Sequence, residues 1–378
     1  MIKIIMEQFT KFNKFKEKQK FENHTIRNYG IDLLRMFSMI NIIILHINLC
    51  SGQLRLSTNK HILRLEAMSY FGVDCFGLIS GIVGYKKYNF SNLIYIWINT
   101  SFYSSIISLY LYFINRINFN YMILSFFPIL ITRSWYVNAY FCLYLFIPLL
   151  NFGINNLNKN IYRNLIVFYI LFFSFYYIIG LILNKSKKDF IFLKNGYSTN
   201  WLIILYIIGG YLGKYIIINK NIKSFQYFII YLLIYIFSAL ATSETLFFLN
   251  NIKSKFYNKK ILYNYLSPTI IFEALSLIMI FSKLSINNNF TIKIISFFTP
   301  FTLNITLLHL RLFRERIITF KWLNKLKPNI KFIVIYQHAI NLYIFLGLID
   351  YIRSIFFKIL KIKKFCLFIE DKFSKLIN

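Results

Sequence analysis

Stretches of about twenty apolar residues recur along this chain, and they decide what it can fold into. They lie at about residues 30–50, 66–85, 92–114, 135–153, 164–183, 200–219, 225–247, 262–283, 293–311 and 332–356. A bilayer's hydrocarbon core is about 30 Å thick, and an α-helix of about 20 residues crosses it. No water inside that core satisfies backbone N–H and C=O groups, so each stretch closes its hydrogen bonds within itself as a helix. The chain therefore reads as all-α, a polytopic membrane protein with about ten transmembrane helices in one bundle. Its composition agrees: 57% of the 378 residues are hydrophobic and the mean hydropathy is +0.55. A soluble domain this apolar would lack the polar surface to cover itself.

An eleventh apolar stretch, 121–132, is short and ends at Arg133. It reads as a re-entrant or interfacial piece. The final segment, KILKIKKFCLFIEDKFSKLIN, reads as an interfacial amphipathic helix, with Lys358, Lys361, Lys363 and Lys364 clustered at its start. Residues 1–28 carry seven Lys and Arg before the first span and have no small-residue cleavage site, which argues against a signal peptide. They read as a basic tail whose phenylalanines lie on lipid headgroups. The domain reading is thus a tail at 1–28, a membrane domain at 29–357 and a second basic tail at 358–378. Ten spans put both termini on one side, and the lysine-dense tails assign that side to the cytoplasm. The 311–331 loop, placed outside by this topology, is itself rich in Arg and Lys, so orientation rests on the termini. No attached soluble catalytic domain is expected.

The formal charge of +31 invites a nucleic-acid reading. Lysines at span ends and in tails are better explained by snorkelling and by anionic headgroups, so no nucleic-acid partner is expected. Cys50, Cys75, Cys142 and Cys366 show neither paired nor metal-type spacing, and no metal is expected.

Within the first span, IDLLRMFSMINIIILHINLC, stand Arg35 and His46. A charged side chain near a bilayer centre costs about 2.5–3.5 kcal/mol on insertion scales, so it usually marks a functional site. Eleven positions are roughly three helical turns, which sets the two side chains on one face about 16 Å apart. Asp32, three residues before Arg35, is at the spacing where side chains meet. It either neutralises and aims Arg35 or simply lies with it at the membrane boundary, where Arg snorkels. His46 is either a hydrogen-bonded core residue or a base: desolvation keeps an imidazole neutral near pH 7.

The second span, YFGVDCFGLISGIVGYKK, holds Asp74 and the pair Ser80-Gly81. Gly77 and Gly81 form a G-x-x-x-G, which close helix packing explains as well as a ligand does. Trp135-Tyr136 opens the fourth span, as an interfacial belt or as a wall of the site. Glu273, mid-span in PTIIFEALSLIMI, and His309, in LNITLLHLR, complete the expected set of buried ionisable residues. There is no phosphate loop, nucleophile elbow or metal-ligand pattern.

These pieces, in this order, resemble the acyltransferase-3 family of multi-span membrane acyltransferases, which O-acetylate bacterial surface polysaccharides. That family's hallmark is Arg, ten residues, then His, matched by Arg35 and His46, with Asp32 three before the Arg. Its second-span signature, near G-V-D-x-F-F-x-x-S-G, matches Gly72 to Ser80-Gly81, with Gly77 in place of the second Phe. A W-Y followed by L-Y-x-x-x-P-L-L matches Trp135-Tyr136 and Leu143 through Leu150. A G-Y-x-L-G-K-like segment matches Gly209 to Lys214. The late S-x-x-I-Y-L-x-H-P pattern is met loosely at Thr302 to His309, where Thr306 and Leu310 replace the Tyr and the Pro.

The resemblance implies a membrane-embedded O-acyltransferase. Acyl-CoA, and acetyl-CoA first, would be co-substrate from the cytoplasm, no cofactor would be bound permanently, and the acceptor would be a hydroxyl of a cell-surface or lipid-linked glycan. His46, Arg35 and Asp32 would be catalytic, with Asp74, Ser80, Gly81, Trp135, Tyr136, Glu273 and His309 along the substrate or donor path. The expected location is the cytoplasmic (inner) membrane. A transporter or flippase of similar span number is the rival reading, although no inverted repeat with broken helices is visible. A multi-span polymerase or glycosyltransferase typically needs larger loops than this chain has.

Overall fold

A computed structural model describes residues 27–52, 59–86, 88–128, 134–182, 192–217, 225–251, 262–315 and 317–377. The basic tail to residue 26 and the 129–133 end of the presumed re-entrant piece, with Arg133, lie outside the described residues. Among those residues there is no β-strand. Helices occupy all ten expected stretches, and six of them are long and apolar enough to cross a membrane by length and composition. The chain is a helical, multi-pass membrane protein.

The first helix, α1 (Tyr29–Cys50), is the hub. Asn28 caps it by accepting from the Ile31 amide at 3.1 Å, while its own amide donates to the Ser282 carbonyl at 2.9 Å. One side chain thereby caps a helix and pins its start to a neighbour. The second span is broken into α2 (Lys60–Ala67) and α3 (Gly72–Gly84), with Met68 to Phe71 as a turn between them. Tyr235 donates to the Met68 carbonyl at 3.0 Å and so satisfies a group the turn would orphan. Then come α4 (Phe90–Phe113), the short α5 (Phe119–Leu124), α6 (Trp135–Asn156) and α7 (Lys159–Ile182). Helix α8 (Thr199–Tyr211) runs into a π turn at Leu212–Ile216.

Helix α9 (Phe225–Asn251) follows, then α10 (Pro268–Ser282), α11 (Asn289–Phe298) and α12 (Thr302–Arg314). The last two form one rod interrupted by a 3₁₀ turn, Thr299–Phe301, around Pro300, which cannot donate to the helical ladder. Helix α13 (Pro328–Ile359) is the longest, and α14 (Ile362–Ile377) closes the chain. As the sequence led us to expect, α14 is a separate helix; Lys361, at φ 54°, makes the break. Its Glu370 accepts from the Phe90 amide at 2.9 Å, placing a carboxylate on the exposed N-terminus of α4.

Helices α3, α10, α11, α12 and α13 all pack on α1. Its apolar window is 61% buried, against 22% in α9 and 28% in α13, whose Phe237, Ile333 and Ile352 are exposed on the outside of the bundle. A tight seam joins α3 to α8. A Cβ on Gly81 would stand 2.1 Å from the Tyr206 carbonyl oxygen, and one on Gly209 would stand 2.0 Å from that of Leu78. With lipid on the outside, close backbone approach is what holds such helices together.

Candidate functional site

His46 leaves the last turns of α1 and reaches two cavities at once. A cavity of about 170 Å³ lies on its α3 side, walled by Tyr70, Phe76, Tyr136, Tyr197 and Tyr265. A chamber of about 520 Å³ lies beyond it, toward the end of α1, between α4, α6 and α12. Trp135, Leu49 and Leu310 line both cavities with His46. The imidazole thus stands in a shared wall.

The aromatic cavity owes its shape to local breaks. The turn between α2 and α3 carries Tyr70, and the start of α8 is preceded by Tyr197. Tyr70 and Tyr197 meet hydroxyl to hydroxyl at 3.4 Å. The Trp135 ring lies 4.7 Å from that of Tyr197 and 6.1 Å from that of Tyr265, centroid to centroid. Edge-on and tilted packing of this kind fixes ring positions more firmly than aliphatic contacts do.

His309, on α12, stands against His46 with ring centroids 5.1 Å apart. Its Nδ1 lies 2.8 Å from the Ile305 carbonyl oxygen, one turn back. A carbonyl only accepts, so Nδ1 carries the proton and Nε2 is left as an acceptor. That Nε2 is buried and has no partner among the described residues. The pair is a lone-pair nitrogen fixed beside a second, cavity-facing imidazole.

At the other end of α1, Arg35 donates from Nη1 to Asp32 at 3.1 Å. Asp32 also accepts from Arg27 Nε at 2.6 Å. Arg27 was not singled out in the sequence, because it sits at the edge of the basic tail. The Arg35 side chain is 27% exposed. It lines neither cavity.

The remaining expected site residues are divided. Trp135 and Tyr136 are cavity walls. Ser80 bonds back to the Phe76 carbonyl at 2.7 Å, and Gly81 seals the α3–α8 seam. Asp74 is fully buried and accepts from the Trp201 indole at 3.0 Å. Glu273 is fully buried on α10, and neither carboxylate oxygen has a partner among the described residues. Neither Asp74 nor Glu273 lines the two cavities around His46. No group of three or more potential metal ligands occurs among the described residues.

Glu273 and His309 are not, as expected, the last buried ionisable residues. Glu66, Arg311, Asp350 and Arg353 are buried too. Asp350 and Arg353 hide in a span whose hydropathy conceals them, and Arg311 lies two positions beyond His309, in a segment that reads as the start of a basic loop. Arg311 in fact turns inward. Its Nη2 donates to Ser108 Oγ at 2.9 Å and to Ser104 Oγ at 3.3 Å, and its Nη1 pairs with Glu315 at 3.2 Å.

Among curated proteins and among solved structures, none matches the chain significantly. A family profile described as an acyltransferase domain, of the acyltransferase-3 type, matches residues 28–349, from the cap of α1 into α13. That span contains Arg35, His46, both cavities and the helices that wall them. The chain belongs to the acyltransferase-3 family, and it is a membrane enzyme that transfers acyl groups.

Proposed function

We propose that the protein moves an acetyl group from acetyl-CoA to a hydroxyl of a cell-surface or lipid-linked glycan, with His46 as the base. The observation that carries the reading is the shared wall: one imidazole is reachable from two separate cavities, as a transfer between two substrates requires. The donor approaches from the Arg35 end, taken as the cytoplasmic one; the lysine-dense termini support that orientation. Arg35, aimed by Asp32, meets anionic groups of the CoA. The thioester end lies in the aromatic cavity, where Trp135, Tyr136, Tyr197 and Tyr265 exclude water. The acceptor enters the larger chamber.

In the transfer step the acceptor oxygen forms its bond to the thioester carbonyl carbon while a ring nitrogen of His46 takes the hydroxyl proton. The C–S bond then breaks, and the leaving thiolate receives that proton from His46. The Nε2 acceptor of His309, buried beside it, favours the transient positive charge on His46. A positioned base contributes typically about 10²–10⁴-fold to such a step. His46→Ala is expected to lose that much transfer of label from acetyl-CoA while the protein stays folded in the membrane. Wild-type transfer in the variant would remove the mechanism. Mass spectrometry of surface polysaccharide with and without the protein tests donor and acceptor together: one acetyl unit per repeat is the expected difference.

A further inference from the structure

The last helix, α14, leaves the bundle at an angle. Phe357, near the end of α13, meets Tyr95 with ring centroids 6.2 Å apart, and Glu370 reaches the amide of Phe90, the first residue of α4. The stretch from Ile362 to Glu370 spans about 12 Å, whereas Phe90 and Tyr95 are only about 7.5 Å apart along their helix. Helix α14 therefore runs across the start of α4 instead of carrying α13 onward. The break at Lys361 and the Glu370 bond hold it at the level where α13 ends and α4 begins. One stripe of α14 is spent on this docking. Cys366, Glu370 and Phe373 share it at i, i+4 and i+7: Cys366 is buried, and the Phe373 ring lies 5.5 Å from that of Phe90. Lys364, Phe368, Lys372 and Lys375, at i, i+4, i+8 and i+11, form a stripe on the far side, with Phe365 beside Phe368. All five are exposed, and the Lys372 ammonium lies 5.5 Å from the Phe368 ring centroid. None of the α14 lysines forms an ion pair among the described residues. Of the two carboxylates on the helix, Glu370 is spent on the Phe90 amide, which leaves Asp371 against Lys363, Lys364, Lys372 and Lys375.

Water suits the three ammonium groups of this stripe but not Phe365 and Phe368, which are 53% and 57% exposed. Hydrocarbon suits the rings and rejects the ammonium groups. A headgroup layer takes both, with rings in the acyl boundary and lysines among the phosphates. A zwitterionic layer offers no net charge to a surplus of cations, and an anionic layer does. We infer that the outer stripe of α14 is a binding surface for the anionic lipid headgroups of the adjoining leaflet. Because the helix is docked on α4, headgroups meet a fixed row of lysines rather than a loose tail. No residue of α14 lines either cavity around His46, so the inference does not rest on the acyl-transfer reading.

The test uses the full chain in nanodiscs that carry photoactivatable phosphatidylglycerol or phosphatidylcholine, with the labelled peptides mapped by mass spectrometry. The α14 peptide of the wild type is expected to take more phosphatidylglycerol than phosphatidylcholine, and salt should narrow the difference. In the triple variant Lys364→Gln, Lys372→Gln, Lys375→Gln the preference should fall roughly fivefold or more, the worth of at least one surface lysine. Labelling of the outward faces of α9 and α13 should stay the same. The variant Phe365→Ser, Phe368→Ser should lower labelling of α14 by both lipids alike. Equal labelling of wild-type α14 by the two lipids overturns the inference. A preference that survives the triple variant also overturns it, because the anionic lipid then sits elsewhere. So does an α14 that neither lipid labels, which leaves the helix to water or to a protein partner. The replaced side chains are exposed, so each variant should melt with the wild type in neutral nanodiscs, which separates lost lipid from lost docking.

Discussion

Two Asp–Arg pairs with the same three-residue spacing sit in this chain and do different work. Asp350 and Arg353, on α13, are both buried, and every arm of the guanidinium is used. Its Nε and Nη2 grip the two carboxylate oxygens at 2.7 and 2.9 Å, while Nη1 donates to Tyr95 and Asn99 at 3.0 and 2.8 Å. Asp350 also accepts from the Tyr103 hydroxyl and from the Asn304 amide. The cluster bolts α13 to α4 and α12, and Tyr103 reaches from it into the wall of the large chamber. Asp32 and Arg35, on α1, share a single 3.1 Å bond, and the other Arg35 nitrogens have no partner among the described residues. The difference teaches that a charge pair in a membrane helix is structural when its bonds are saturated and available to a ligand when they are not.

The sharpest way to break this comparison is Asp350→Ala. It strands a buried guanidinium, which costs about 3–5 kcal/mol. The variant should lose most of its thermal stability in detergent, and a variant as stable as the wild type would show that the α13 pair is not the bolt. Next is Arg35→Lys, which keeps the charge but loses the planar fork. Acetyl-CoA binding should weaken by about tenfold or more, the worth of a charge-assisted hydrogen bond, while the melting temperature stays within a degree or two. A stability loss without a binding loss would make the α1 pair structural as well. The smallest effect is expected from Asp32→Asn. Part-exposed pairs contribute about 0.2–1 kcal/mol, so stability should barely move. The change belongs in the Michaelis constant for the donor, because Arg35 is then aimed less firmly.

Much of the fold was legible because lipid leaves the backbone few choices. Every expected apolar stretch is a helix, since unpaired amide groups are too costly in hydrocarbon. The interruptions were less legible. The turn at Met68–Phe71 that delivers Tyr70 to the aromatic cavity follows from no strong breaker in the sequence. The kink at Pro300 at least has its proline. Among the candidate site residues, Arg35, Asp32 and His46 stood out as polar or charged side chains in an apolar run. Arg311 did not, because a cation at a span end reads as a snorkelling residue until its serine partners on α4 are seen. Ser80 and Gly81 stood out equally well in the sequence, yet they serve the helix seam: a pattern of small residues says only that something comes close, not whether it is a ligand or another backbone.

Sequence alone determined the class of the molecule and the rod on which its chemistry stands, because hydropathy and helical periodicity act over neighbouring residues and need no partner. Tertiary packing decided which polar groups face a cavity. His46 and His309 are 263 positions apart and Asp74 is nearer to His46 in sequence, yet only His309 meets it. Whether a buried polar side chain is left reactive or is satisfied depends on which other helices reach it, and that is a property of the assembled bundle.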